Sequence, residues 1–300
     1  MTVTLATSGA VRALHVIPDR YRAFSSTAAH ARSVHNLPAD VLAAAETAGL
    51  PRVGGPGRAR YDDRDLLNLS AALRRRSVWY LAQVGLRRVL DRLAAGAGAA
   101  YRVTAKPRCL VSGHRGDCDF ELLFDDGPEP APLSGSEMRL TGKDTFEVRT
   151  SGHTSEAPPA VRDVLTALDH AEYLHLPQIL CRDLAFFDRT GVANCLLATA
   201  VLLRRAGQLG VPARSSFGLL LVPPFAGLHT WTEFLVDGRW VAFDPHLIRL
   251  MEKSGVLAPG AWSPTRSLSG VLARFGPINA AVGRHGGNHV SVSYGLEPLT

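Results

Sequence analysis

Three residues in the C-terminal half of the sequence have side chains suited to acyl-transfer chemistry: Cys195, His229 and Asp244. A thiol can attack a carbonyl, an imidazole can move the proton, and a carboxylate can orient the imidazole. Their order predicts a nucleophile at a helix start, then a base and a carboxylate on successive strands. The three surrounding stretches are GVANCLLATAVLLRRAG (191–207), GLHTWTEFLVDGRW (227–240) and VAFDP (241–245).

A β-hairpin is predicted to bring His229 and Asp244 together. Asp237-Gly238 separates two strand-like runs, and a two-residue Asp-Gly loop favours a type I′ turn. Val236 then opposes Arg239, and His229 lies on the face of Asp244, about 7–8 Å away diagonally. A hydrogen bond can close that distance; the alternative is an ordinary hairpin with a chance His and Asp. The face expected to pack on the core carries Phe234, Val236, Val241 and Phe243.

The segment around Cys195 has the apolar spacing of a helix, with Thr190 as the expected N-cap and Gly207 near its end. The unpaired N–H groups of the first helical turn stabilise a thiolate there. The alternative is a free cysteine packed as a small apolar side chain. The backbone N–H of Cys195 is the default oxyanion donor, and the side chain of Asn194 is a second candidate.

Two tryptophans of the hairpin are candidates for lining a substrate pocket. Trp231 opposes Asp244 on the predicted catalytic face, and Trp240 lies further along the second strand. A wall of this kind could exclude water and orient an incoming group. The alternative is that both side chains only pack in the core.

Several short motifs in the right order carry a family resemblance over roughly residues 185–250. The run from Asn194-Cys195 through VPAR (211–214), followed by LHTWTEFLVDGRWVAFDP (228–245), resembles the transglutaminase-like core of the papain-type cysteine enzymes. The resemblance implies Cys195 as the nucleophile, His229 as the base and Asp244 as the orienting acid. It also implies an α+β fold in which the nucleophile helix packs on an antiparallel sheet.

The rest of the chain is expected to form an N-terminal helical and β extension to this core. Helical patterns precede residue 95, and strand patterns follow Tyr101. We place a domain boundary near residue 155. Residues 1–155 then form the extension and residues 156–300 the transglutaminase-like catalytic domain.

Residues 37–73 resemble the winged helix-turn-helix of MerR-type regulators, within a winged-helix-like piece at 37–95. Arg58, Arg60 and Tyr61 would form the wing, which contacts phosphate in such regulators. The first helix, however, is rich in Ala and Glu and lacks side chains suited to base edges. DNA is therefore not the expected partner. A structural subdomain, or a docking surface for a peptide or carrier protein, is the favoured interpretation.

Composition limits the location and class of the protein. The formal net charge is +6, and nearly all of the basic residues are arginines. Abundant arginine together with many Ala and Gly residues suggests a bacterial source. No apolar stretch approaches the roughly 18 residues of a membrane span, and the N-terminus lacks a signal-peptide pattern. Four cysteines without an export signal predict free thiols and a cytoplasmic location.

Cys109, His114 and Cys118 form a second group of side chains with metal-ligand chemistry. A zinc site uses four protein ligands, or three and a water. The sequence shows no convincing further ligand, so a plain hairpin without metal is the favoured interpretation.

These patterns predict thiol-dependent acyl transfer through an acyl-enzyme, with amide-bond formation in bacterial specialised biosynthesis as the favoured reaction. The acyl donor is expected to be a thioester, on a carrier protein or free, or a peptide, and the acceptor an amine or water. No cofactor and no metal are expected. The alternatives are a cysteine peptidase or amidase and, from another class, a non-catalytic binding module or a DNA-binding regulator.

Overall fold

The computed structural model describes residues 2–55, 57–109, 114, 118–122, 133, 135–277, 282–286 and 288–299. The elements combine helices with antiparallel strands, as the expected α+β class requires. The helices are α1 (Thr2–Leu14), α2 (Ala28–Ser33), α3 (Ala39–Thr47), α4 (Asp63–Ala72), α5 (Val78–Ala94), α6 (Pro159–Leu165), α7 (Leu184–Thr190), α8 (Cys195–Leu209) and α9 (Pro245–Lys253). The strands are β1 (Phe24–Thr27), β2 (Arg60–Asp62), β3 (Ala99–Arg108), β4 (Glu121–Leu122), β5 (Ser136–Leu140), β6 (Thr145–Thr150), β7 (Glu172–Tyr173), β8 (Val192–Ala193), β9 (Ala213–Val222), β10 (Phe225–Val236), β11 (Arg239–Phe243), β12 (Leu272–Gly276), β13 (Gly283–His285), β14 (Asn288–His289) and β15 (Ser291–Pro298).

The chain forms two compact units, each built from three separate segments. Unit 1 comprises Met1–Val84, Asp169–Ala198 and His246–Trp262. Unit 2 comprises Gly85–Leu168, Thr199–Pro245 and Ser263–Thr300. Residues 155 and 156 both lie in unit 2, and the domain boundary expected there stays a prediction.

Unit 1 holds the segment that leads into α8. Strands β7 and β8 pair in parallel, with Tyr173 opposite Ala193. The buried imidazole of His246 hydrogen-bonds through Nε2 to the Ala193 carbonyl oxygen at 3.1 Å. The two residues before Asn194 are therefore fixed by a strand pair and a side chain, which sets the point at which α8 begins.

Unit 2 is built on an eight-stranded sheet, and among the described residues its paired strands all run antiparallel. The strand order is β12-β9-β10-β15-β3-β6-β5. Strand β11 pairs with the C-terminal part of β10, from Thr232 to Val236. The core of the unit is a cluster of buried apolar and aromatic side chains, most of which come from five of these strands. The largest members are Tyr101, Phe146, Phe217, Leu219, Leu221, Phe275, Tyr294 and Leu296.

The hairpin of β10 and β11 has the predicted register. Val236 pairs with Arg239, Phe234 with Val241 and Thr232 with Phe243. Asp237 and Gly238 form the turn with φ values of 49° and 74°, the left-handed region that a type I′ turn needs at both central residues. The prediction of this turn and register from sequence is confirmed.

Strands β9 and β12 approach each other closely at Gly218, next to His229, and a substitution at this glycine tests that contact. Gly218 pairs with His229, and a Cβ added there would lie 2.0 Å from the Ala273 carbonyl oxygen on β12. Gly218→Ala should lower the free energy of unfolding by about 1–3 kcal/mol, because the two strands must separate to admit the methyl group. Gly227→Ala on β10 is the matched control, since nothing lies within 4 Å of its Cβ position. Urea unfolding measures both; equal losses would contradict the prediction.

Candidate active site

His229 and Asp244 meet in the structure as the hairpin register predicts. His229 Nε2 lies 2.7 Å from Asp244 Oδ2, and each side chain is only 10% exposed. His229 is on β10, and Asp244 follows β11 directly, before α9 begins at Pro245. The pair is therefore held by strand β10 on one side and by the junction between β11 and α9 on the other.

The carboxylate of Asp244 determines how the imidazole of His229 is used. An ionised carboxylate only accepts hydrogen bonds, so His229 Nε2 carries the proton of this contact. The other ring nitrogen, Nδ1, is then the one whose lone pair can receive a proton from a nucleophile. A buried anion beside the ring also stabilises the imidazolium formed by that transfer.

A buried ionic network supports the same face of β10. Trp231, whose ring plane is within 16° of that of His229, donates its indole N–H to Glu233 Oε1 at 3.0 Å. Glu233 is fully buried and accepts from Arg214 Nε at 2.7 Å, and Arg274 Nε lies 3.8 Å away. The sequence did not single out these charged residues, although period-two spacing places Glu233 on the face of His229.

The two candidate pocket tryptophans occupy different environments. Trp231 is 1% exposed, so it supports His229 from within the core and presents almost no surface to a ligand. Trp240 is half-buried, and the Arg214 guanidinium lies 4.4 Å from its ring centroid. Trp240 therefore keeps an exposed part, and its contribution to a substrate pocket stays a prediction.

Cys195 is the first residue of α8, but the cap differs from the one expected. Asn194 caps the helix, because its Oδ1 accepts the Leu197 backbone N–H at 3.0 Å. Thr190 instead ends α7, where its hydroxyl donates to the Phe186 carbonyl, and Gly191 follows with φ of 67°. The expected N-cap was therefore wrong, whereas the position of the cysteine in the first turn is confirmed.

A second thiol, Cys181, lies close to the start of α8. It is 3% exposed and accepts a hydrogen bond from Asn194 Nδ2 at 3.0 Å. Burial raises the pKa of Cys181, and the Asn194 hydrogen bond opposes that shift. Both polar ends of Asn194 are thus engaged, by the helix and by Cys181, and its part in an oxyanion hole stays a prediction. Cys195 itself is half-buried.

The three predicted catalytic residues are divided between the two compact units. Cys195 belongs to unit 1, while His229 and Asp244 belong to unit 2. Helix α8 begins in unit 1 and continues into unit 2. The structure joins the imidazole to the carboxylate and sets the thiol at a helix start.

The wing residues of the MerR-like segment do not share one environment. Arg58 and Arg60 are exposed, but Tyr61 is 1% exposed and donates its phenol to Glu46 of α3. Burial and the neighbouring carboxylate raise the pKa of Tyr61. Tyr61 therefore packs against α3 and cannot contact phosphate in this conformation.

A family model supports the resemblance that the sequence motifs carry. The family model of the transglutaminase-like superfamily matches residues 148–245, a segment that contains Cys195, His229 and Asp244. A solved structure of a proposed cysteine protease from Cytophaga hutchinsonii is similar at 13% identity and a TM-score of 0.32, over 67% of this chain and 88% of that one. No curated protein matches the chain.

Residues 148–245 thus match the transglutaminase-like superfamily, in agreement with the resemblance over roughly residues 185–250. This match supports a cysteine-dependent enzyme and the α+β papain-like class. Among the described residues, no helix is long and apolar enough to cross a membrane.

Alkylation should separate Cys195 from Cys181. We expect iodoacetamide at neutral pH to label the half-buried Cys195 much faster than Cys181, which is buried and has a raised pKa. Peptide mapping by mass spectrometry after a short exposure measures both rates in one sample. Equal labelling of the two thiols, or protection of Cys195, would contradict an activated nucleophile.

Proposed function

We propose that the protein catalyses thiol-dependent acyl transfer through an acyl-enzyme on Cys195. The observation that carries the proposal is the hydrogen-bonded His229–Asp244 pair, set within a transglutaminase-like core whose cysteine begins a helix. This combination supplies a nucleophile, a base and an orienting group, the three parts that covalent acyl chemistry needs.

The reaction begins when Cys195 gives its proton to His229 Nδ1 and the thiolate attacks the carbonyl carbon of the donor. The tetrahedral oxyanion forms next to the N-terminus of α8, where backbone N–H groups point outward. When it collapses, the leaving group takes the proton from His229, and a thioester with Cys195 remains. Asp244 holds Nε2 throughout and stabilises the charged ring without accepting its proton.

The second half-reaction delivers the acyl group to an acceptor. His229 removes a proton from an amine, whose nitrogen attacks the thioester, and the proton returns to the Cys195 thiolate as it leaves. Amide formation in bacterial specialised biosynthesis is the reaction we favour. The low exposure of His229 and Asp244 supports it, because restricted access limits the water that competes with an amine.

Water in place of the amine would make the same site a cysteine peptidase or amidase. The triad chemistry is identical in the two cases, so only the acceptor pocket separates them. A binding module or regulator without catalysis does not need a carboxylate held against a largely buried imidazole. We place a thioester or peptide as the donor and assign no cofactor to the reaction.

Substitutions in the proposed triad should lower turnover in a fixed order. Cys195→Ala and His229→Ala should each reduce kcat by several orders of magnitude, because each removes a group that takes part in bond making or proton transfer. Asp244→Asn should cost about 100-fold less, since the carboxylate only orients and stabilises the ring. His153→Ala, at an exposed position, is the control. Full activity in Cys195→Ala would refute the proposal.

The partition of the acyl-enzyme should reveal the acceptor. An acyl thioester, supplied with and without candidate amines, should label Cys195 and then give amide in preference to free acid, even in about 55 M water. Intact mass spectrometry follows the acyl-enzyme, and chromatography measures the two products. Free acid under every condition, with peptides cleaved faster than thioesters react, would replace our preferred reaction with the peptidase.

A further inference from the structure

A second cluster of reactive side chains lies in unit 2, outside the proposed triad. Cys109, His114, Cys118 and His285 bring their ligand atoms within 4.8 Å of one another. The first three were evident from their spacing in the sequence, and the fold adds His285 from a distant segment. We propose that these four residues form a structural zinc site.

The strand pairing explains why His285 reaches the other three. Strand β13 pairs antiparallel with β4, with Arg284 opposite Glu121. The next position along the ladder brings His285 beside Phe120, and their ring centroids are 5.3 Å apart. Cys118 lies two residues before Phe120, so the register of a very short pair of strands determines the fourth ligand.

The sulfur–nitrogen distances match the edges of a zinc tetrahedron, and the nitrogen–nitrogen distance is shorter by about 0.4 Å. His114 Nδ1 lies 3.6 Å from Cys109 Sγ, 3.5 Å from Cys118 Sγ and 3.0 Å from His285 Nε2. With zinc bonds of about 2.3 Å to sulfur and about 2.1 Å to nitrogen, a tetrahedral site has a sulfur–nitrogen edge of about 3.6 Å and a nitrogen–nitrogen edge of about 3.4 Å. One ring nitrogen cannot serve three hydrogen-bond partners, whereas a shared metal explains why all four atoms converge.

The tautomer of His285 is already set for metal binding. Its Nδ1 lies 2.7 Å from the Asp119 carbonyl oxygen, which can only accept, so Nδ1 carries the proton. The lone pair of Nε2 then points towards the cluster. Histidine ligands of zinc are held in the same way, by a hydrogen bond from the ring nitrogen that does not bind the metal.

Charge and local stability also favour the dication. When Zn²⁺ binds, Cys109 and Cys118 each release a proton, and the two thiolates with two neutral imidazoles balance its charge. The strands at the site are short: β4 and β14 have two residues each. A ladder of that length buries too little apolar surface to stand alone, and a metal bond between distant segments would hold it.

Metal analysis of the full-length protein tests the proposal independently of acyl transfer. Protein purified under reducing conditions with zinc supplied should contain about one zinc ion per chain by plasma mass spectrometry. Cys118→Ser and His285→Ala should each lose most of this zinc. His153→Ala, which removes an exposed imidazole outside the cluster, is the control and should keep it. A chelator should expose Cys109 and Cys118 to alkylation and leave the rate at Cys195 unchanged.

Cobalt binding to the unmodified protein tests the same site without relying on variants that could fail to fold. After zinc removal, Co²⁺ added to the unmodified protein should give the intense visible bands of a tetrahedral site and a thiolate charge-transfer band. Absence of both zinc and these bands while the thiols are reduced would overturn the proposal. Zinc that is retained in full by His285→Ala, or a Cys109–Cys118 disulfide in place of the metal under reducing conditions, would overturn it as well.

Discussion

The turn at Asp237-Gly238 is the constraint on which the candidate site depends. Both residues have positive φ, and a two-residue turn of this type permits one register between β10 and β11. A slip of one residue would move Asp244 to the opposite face and leave the largely buried His229 side chain without its carboxylate. The chemistry of the imidazole is therefore set by backbone geometry at the far end of the hairpin.

The parts of the site that could be predicted from sequence are those set by local geometry. The hairpin register follows from turn chemistry, and the placement of Cys195 follows from helical spacing. The cap of α8 shows where local reasoning fails, because Thr190 and Asn194 both have suitable cap chemistry. The choice depended on Gly191, whose left-handed conformation ends α7 and lets the chain form β8 before the next helix.

The parts that could not be predicted depend on contacts between distant segments. The pairing of β13 with β4 brings His285 close to Cys118. No residue spacing within either segment indicates that the two segments pair. Pairing of β10 with β9 likewise sets Arg214 opposite Glu233. Trp231 could be placed on the correct face, but its burial follows from the layers around the sheet, which the alternation along one strand does not report.

The buried network beneath His229 is better explained by orientation than by stability. Taking Glu233 and two arginines out of water costs about as much as their attraction returns, so apolar side chains of similar size would be at least as stable. An apolar residue at this position, however, would leave the Trp231 indole N–H without its acceptor. The indole could then rotate away from its near-parallel alignment with His229. The carboxylate of Glu233 therefore fixes the orientation of the indole beside the imidazole, while Asp244 holds the imidazole itself.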